Sequence, residues 1–224
     1  MKTISASAFK LCDAPPSLAA GEIHLWYLCA PDADQHRNAA AKAANRMLEQ
    51  LLAIYAGRDS LPAISRGPHG KPCAETSVDI EFNVSHSGRC ALLAFARGQP
   101  LGVDLECLDR RQRFEDIAER YFAPDEARDL ARLPSDRHPA AFLGLWTCKE
   151  AVVKALGVGL GFGLDRLRFR LDADGRPESL ESIAADGGSV ADWRILSLAP
   201  APALLGALAW HGPPRHVRVL RWPA

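Results

Sequence analysis

Two short segments of opposite periodicity set the strongest constraint on the fold. In Leu101-Gly-Val-Asp-Leu-Glu106 apolar and acidic residues alternate. That is the period of a strand, so Asp104 and Glu106 share one face while Val103 and Leu105 turn to the other. In Trp146-Thr-Cys-Lys-Glu-Ala-Val-Val-Lys154, Trp146, Glu150 and Lys154 recur every four residues, which lines them along one stripe of a helix. Apolar residues flank the acids on both segments, so each element is half buried. A chain that carries such a strand and such a helix must cover one face of each.

The same residues can carry chemistry. Two carboxylates converge on the strand, and a third lies one turn from an ammonium group on the helix. Oxygen ligands of this kind suit magnesium, which completes its shell with water and substrate phosphate oxygens. A nearby lysine can stabilise charge on that phosphate. Each pair also has a plainer reading, as the wet face of an antiparallel strand or as a surface i, i+4 ion pair. The apolar flanks favour the joint reading over the separate ones.

Along the chain, Glu22 to Cys29 is rich in β-formers and reads as a first strand. A helix follows, capped by Asp32 or Asp34, with an apolar face from Ala40 to Tyr55 and a stop at Gly57. Ser65 to Pro72 reads as a loop. Ile80 to Val84, Cys90 to Ala96 and Leu101 to Glu106 are spaced as a strand meander. Two shorter helices are expected around Phe114 to Tyr121 and from Pro124, stopped at Leu133-Pro134. A long helix is expected from about Pro139 to Leu156, ended by Gly157. Leu167, Phe169 and Leu171 alternate with three arginines, Asp174-Gly175 marks a turn, and Ala203 to Trp210 and Val217 to Trp222 read as terminal strands. Each half runs from helix into strands, and Ala91 to Gly98 loosely echoes Ala203 to Gly212. The expected organisation is two similar α+β halves, residues 1–101 and 102–224, with the acidic strand at their junction, where ligand clefts form.

Composition excludes several classes. The 224 residues carry 27 Lys plus Arg against 27 Asp plus Glu, so no global field attracts nucleic acid or an anionic membrane. The six cysteines show no CxxC pair and no matching histidine spacing, so neither zinc nor a disulfide framework is expected. A reducing cytoplasm is the simplest home. Neither a cleaved signal nor a bilayer-spanning stretch is evident.

With these residues placed, the sequence resembles the surfactin-type 4'-phosphopantetheinyl transferases. Gly102-Val103-Asp104 with Glu106, and Trp146 through Lys154, are similar to the two signature motifs of that family in order and separation. Gly70-Lys71-Pro72 and Phe82-Asn83-Val84-Ser85-His86-Ser87-Gly88 look alike as well, and the likeness runs from about Arg37 to Phe169. The resemblance implies a pseudo-twofold fold of two similar halves, each a helix packed on a small antiparallel-rich sheet, with coenzyme A in the cleft between them. It implies a cytoplasmic, monomeric, magnesium-dependent transferase that moves phosphopantetheine from coenzyme A to a serine of an apo acyl or peptidyl carrier protein, releasing 3',5'-ADP. Such carriers serve fatty-acid, polyketide and nonribosomal-peptide synthesis.

The resemblance also implies roles. Asp104, Glu106 and Glu150 would hold magnesium, and Lys154 would neutralise the departing 3',5'-ADP. Arg37, Lys71, Ser85 and His86 would lie at the nucleotide phosphates. Lys149 would either support the fold or pair with a phosphate. The carrier serine would lose its proton to Glu150, directly or through a water, or to a metal-bound water. Family members place several basic residues ahead of the first long helix. Here no Lys or Arg falls between Lys10 and Arg37, which leaves Lys42 or Arg46 to assist. For the carrier itself, Phe114, Ile117, Tyr121 and Phe122 could meet a helix or fill the core, and Arg110, Arg111 and Arg113 could meet acidic groups or stay solvated. A metal-dependent nuclease is disfavoured by the neutral charge and the absence of a basic, aromatic-interleaved strip. A non-catalytic module of the same fold is disfavoured by the retention of all three acids and Lys154.

Overall fold

The computed structural model describes residues 1–30, 39–75, 77–109 and 113–223. Arg37, the capping candidates Asp32 and Asp34, and Arg110 and Arg111 lie outside the described residues. The described strands are, in order, β1 (Lys2–Ser5), β2 (Lys10–Leu11), β3 (Glu22–Cys29), β4 (Ile64–Arg66), β5 (Pro72–Ala74), β6 (Glu81–Ser87), β7 (Cys90–Ala96), β8 (Leu101–Cys107), β9 (Leu167–Leu171), β10 (Pro177–Ile183), β11 (Trp193–Ala201), β12 (Leu204–His211) and β13 (His216–Arg221). The α-helices are α1 (Ala39–Ala56), α2 (Phe114–Tyr121), α3 (Pro124–Ala131) and α4 (His138–Leu156).

Two sheets face one another. One runs β2-β13-β3-β7-β6, the other β1-β11-β12-β8. Their inner faces share a core built from Ile23, Leu25, Leu92 and Ala94 on the first and Leu101, Val103, Leu105 and Leu208 on the second. Helix α1 covers the outer face of the first sheet through Met47, Leu51, Leu52 and Tyr55, against Trp26, Phe82 and Phe95. Helix α4 covers the outer face of the second, where Cys148, Ala151, Val152 and Ala155 meet Ala207 and Ala209. The apolar run Cys90–Ala96 is buried at every position because β7 lies inside its sheet with a layer on both faces.

The two sheets share an arrangement. In the first, β7 sits between β3 and β6, and in the second, β12 sits between β8 and β11. In both, the earliest of these strands precedes the covering helix in the chain and the central strand comes last. The chain ends cross over. β1 pairs with β11 of the second sheet, and β13 pairs with β3 of the first.

The meander expected across β6, β7 and β8 holds only for its first two strands. β7 already has β3 and β6 as neighbours, so β8 leaves that sheet and pairs with β12. The segment expected as a loop around Gly70 is the tip of a two-stranded hairpin, β4 with β5. The cysteine expectation is also corrected: Cys29 and Cys90 form a disulfide. Antiparallel register sets them directly opposite on β3 and β7, a proximity that sixty-one residues of sequence separation conceal. The arginines alternating along β9 form a paired face, with Arg168 meeting Asp125 and Glu181 while Arg170 meets Glu178. No helix among the described residues is long and apolar enough to cross a membrane.

Candidate active site

Helix α4 passes very close to β8, and Gly102 is the reason it can. A Cβ at that position would lie 2.1 Å from the Ala151 carbonyl oxygen and 2.4 Å from the Ala155 amide nitrogen. The absent side chain brings the face of α4 bearing Glu150 and Lys154 onto the face of β8 bearing Asp104 and Glu106. The helix ends cleanly at Gly157, whose φ of 72° is left-handed backbone that glycine adopts without a Cβ penalty.

Lys154 is the hub of the resulting cluster. Its ammonium donates to Asp104 Oδ1 at 2.6 Å, to the Val103 carbonyl at 3.2 Å and to Ser85 Oγ at 3.2 Å. Ser85 Oγ in turn donates to Asp104 Oδ1 at 2.9 Å. Two carboxylate oxygens nearby are buried without a hydrogen-bond partner, Asp104 Oδ2 and Glu150 Oε1. Burial pushes the Glu150 carboxyl up to about 7, the charges of Asp104 and Glu106 add to the rise, and Lys154 opposes it. The site therefore concentrates more negative charge than its own lysine neutralises.

Such orphaned oxygens are costly unless a cation or donor completes them. The set is all oxygen, which matches a hard divalent cation. Among the described residues no three acidic, histidine or cysteine side chains stand close enough to enclose an ion as placed. The Lys154 ammonium occupies one of the Asp104 oxygens that such an ion would share.

The other expected site residues fall in different places. Lys71 is half buried just ahead of β5 and donates to the Leu101 carbonyl at 3.0 Å. It thus sits at the first residue of β8, three positions from Asp104, roughly 10 Å by strand rise, and burial holds its ammonium below the usual lysine range. His86 is exposed, on the face of β6 shared with Phe82 and Val84, which turns away from Asp104. Lys42 and Arg46 are exposed on α1. Lys149 is fully buried. Its ammonium donates to Glu126 Oε2 at 2.6 Å, to the Leu164 carbonyl at 2.9 Å and to the Leu167 carbonyl. With three donors and three acceptors it has none to spare, so of its two expected roles fold support has the geometry behind it.

Trp146 packs on Phe142, with ring centroids 5.7 Å apart, as its place on a helix stripe suggests. It also walls a cleft of about 710 Å3 that opens beside Glu106 and is lined further by Arg120, Tyr121 and Asp165. Phe122 belongs to the core, and Phe114 and Ile117 pack against it, whereas Tyr121 is exposed. Arg113, the residue ahead of α2, pairs with Asp116 in its first turn.

Two contributors were not legible beforehand. Glu126 is buried and holds Lys149 from α3 while also accepting the Ala123 and Phe169 amides. Proline at the helix start two residues before a glutamate signals a helix N-terminus, but nothing local signals burial. Ser87 donates to Glu106 Oε2 at 3.1 Å, although Ser-His-Ser reads from sequence only as a turn.

Comparison with known proteins closes the picture. Residues 100–203 match the 4'-phosphopantetheinyl transferase superfamily, a span that includes β8 and α4. The chain is 39% identical over 108 residues to 4'-phosphopantetheinyl transferase Sfp of Bacillus subtilis, covering 48% of this chain and 47% of that protein. It is 29% identical to 4'-phosphopantetheinyl transferase HetI of Nostoc, over 88% of this chain and 92% of that one. A third relative, the L-aminoadipate-semialdehyde dehydrogenase-phosphopantetheinyl transferase of Xenopus laevis, is 30% identical over 65% of this chain and 56% of its own length. The match thus spans about half the length of Sfp and nearly all of HetI.

Proposed function

We propose that this chain is a member of the 4'-phosphopantetheinyl transferase superfamily that its residues 100–203 match, and that it moves phosphopantetheine from coenzyme A to a serine of an apo acyl or peptidyl carrier protein. The observation that carries the proposal is the pair of buried, partnerless oxygens on Asp104 and Glu150 beside the Lys154 ammonium. It is a site prepared for a cation and a polyphosphate. The common arrangement of β3-β7-β6 under α1 and β8-β12-β11 under α4 supports a duplicated fold of two halves, 1–101 and 102–224, each sending one chain end into the other's sheet. One chain then forms the whole cleft and works as a monomer.

In the reaction, the carrier serine oxygen forms a bond to the phosphorus bearing pantetheine, and the bond from that phosphorus to the bridging pyrophosphate oxygen breaks. The products are the phosphopantetheinyl serine and 3',5'-ADP. Asp104, Glu106 and Glu150 would hold magnesium, which when bound supplies neutralisation of pyrophosphate charge. Phosphoryl transfer needs in-line positioning and charge stabilisation more than covalent help. Lys154, already among the acids, would move its ammonium toward the oxygen that becomes the leaving group. Glu150 would take the serine proton, directly or through a water. Lys71 at the start of β8 would meet a nucleotide phosphate, and Arg37, His86 and Ser85, which the family resemblance assigns to the same phosphates, would contribute with it. The cleft between Glu106 and Tyr121 would admit the carrier serine.

The test is to incubate the protein with an apo carrier, coenzyme A and magnesium and to weigh the carrier. A mass gain of one phosphopantetheine, abolished by a chelator, is expected. No gain on fatty-acid, polyketide or peptidyl carriers would sink the proposal, and a gain that survives chelation would remove magnesium from it.

A further inference from the structure

β8 is the edge strand of its sheet, so alternate amides of its outer side have no strand partner and must be satisfied elsewhere. They are satisfied by side chains. The Val103 amide donates to Asn83 Oδ1 at 2.8 Å, the Leu105 amide to Ser85 Oγ at 3.2 Å and the Cys107 amide to Ser87 Oγ at 3.0 Å. Three alternate residues of β6 thereby replace a missing strand with a ladder of side chains, all three buried.

The two serine rungs do a second thing. Ser85 Oγ donates a hydrogen bond to Asp104 Oδ1, and Ser87 Oγ donates one to Glu106 Oε2 at 3.1 Å. Each hydroxyl accepts from the amide of one residue and donates to the carboxylate of the residue before it. A hydroxyl combines acceptor and donor in one atom. At the third rung the preceding residue is Gly102, which has no carboxylate, and there the side chain is the amide of Asn83, used as an acceptor. The residue types on β6 therefore follow the presence of acids on β8.

We infer that Asn83, Ser85 and Ser87 form a register ladder for the acid pair, and that Ser87 is the positioning residue of Glu106, holding its carboxylate on the Asp104 side of β8, from which it and the acids of the site would close on a cation once one binds. The inference deepens the proposed transferase site and rests on that reading only in taking the site to bind a divalent cation. Outer partners of metal-binding carboxylates fix orientation in this way.

The experiment measures Mn2+ binding to the full-length protein alone by titration calorimetry, without coenzyme A or carrier. Ser87→Ala is expected to fold and to bind Mn2+ roughly 10- to 100-fold more weakly, while Ser87→Thr keeps the hydroxyl and restores most of the affinity. In a Glu106→Gln background the same Ser87→Ala change is expected to have no further effect. If Ser87→Ala does not fold, Ser87→Cys, close in shape but a weak donor, is measured in both backgrounds with the same expectation. Wild-type affinity in the Ala or Cys variant, an equal loss in both backgrounds, or a wild-type protein that takes up no Mn2+ overturns the inference. Transfer that proceeds while the Ser87 variants bind Mn2+ normally refutes the ladder alone. Coupled Mn2+ binding without any transfer supports the ladder and refutes the reaction.

Discussion

Lys149 and Lys154 stand on the same helix, each 2.6 Å from a carboxylate and each with three acceptors around its ammonium, yet the two pairs are built for different ends. The contrast lies in the acids. Glu126 spends both oxygens, Oε2 on Lys149 and the Ala123 amide and Oε1 on the Phe169 amide. Asp104 spends only Oδ1, and its Oδ2 is buried without a partner, as is Oε1 of Glu150. The Lys149 pair is sealed, with side-chain exposures of 0% and 2%, whereas Lys154 keeps 28% of its side chain open. Burial pushes Glu126 up and Lys149 down, each toward neutrality, against their mutual attraction. A closed pair fastens α3, α4 and β9 together, and an unclosed one waits for a ligand.

The largest effect should come from opening the closed pair. Glu126→Ala strands a charge in the core and should cost about 3–5 kcal/mol of stability in urea unfolding. Glu126→Leu combined with Lys149→Met should recover most of that loss, since apolar replacement of a buried pair is often neutral. A small loss for Glu126→Ala would break the contrast. The second effect inverts the readout. Lys154→Ala should lower the transfer rate roughly 100- to 1,000-fold, the scale for removing a transition-state charge contact. Its stability cost should be smaller, about 1 kcal/mol, because water reaches this pair and Ser85 still donates to Asp104. An unchanged rate would place Lys154 with Lys149 as a fold residue.

The strands β3 and β7, the helix α1 from Ala40 on, and both ends of α4 were legible because period, glycine stops and apolar faces are local signals. The sharing of one face by Asp104 and Glu106, and by Glu150 and Lys154, followed from the same periods. Partnership was not legible. Sequence neighbours usually pair, yet β8 finds β12 a hundred residues later because β7 is already flanked. Position 149 falls on the core side of a helix that is apolar almost all round, and its partner arrives from α3 with no local mark. The polar β10 and the proline-bearing β11 carry little strand signal, and they owe their pairing to β9 and β12. Ser87 was hidden for the opposite reason, since a serine between a histidine and a glycine has a good turn reading that needs no carboxylate.

The third effect concerns the approach that makes the open pair possible. Gly102→Ala would set a methyl against the Ala151 carbonyl and the Ala155 amide, so α4 must move off β8. Overpacking of this kind costs about 1–3 kcal/mol. The displacement should fall on Lys154 and Glu150, so transfer should drop further than the stability loss explains, while the Lys149 cluster keeps its protection in hydrogen exchange. Equal loss in both clusters would mean that the helix moves as one rigid piece.

The smallest effect tests whether sealing is a general device here. Behind α1 a second closed cluster joins His24 Nδ1 to the Tyr55 hydroxyl at 2.8 Å, the Trp26 indole to the same hydroxyl at 2.8 Å, and His24 Nε2 to Glu22 at 3.3 Å. The ring is fully buried, and burial holds its pKa below the usual 6.5 although Glu22 pulls the other way. The unfolded chain therefore binds a proton near pH 6.5 that the folded chain refuses until lower pH. Stability from this group is complete above 6.5 and falls as pH drops below it, by about 1 kcal/mol for a shift of one unit. Urea unfolding from pH 8 to 5 should show that loss, and His24→Gln, which cannot titrate, should remove this part of the slope. If His24→Gln leaves the slope intact, the cluster on the α1 side is not sealed against protons, and tight closure belongs to the Lys149 pair rather than to both covered faces.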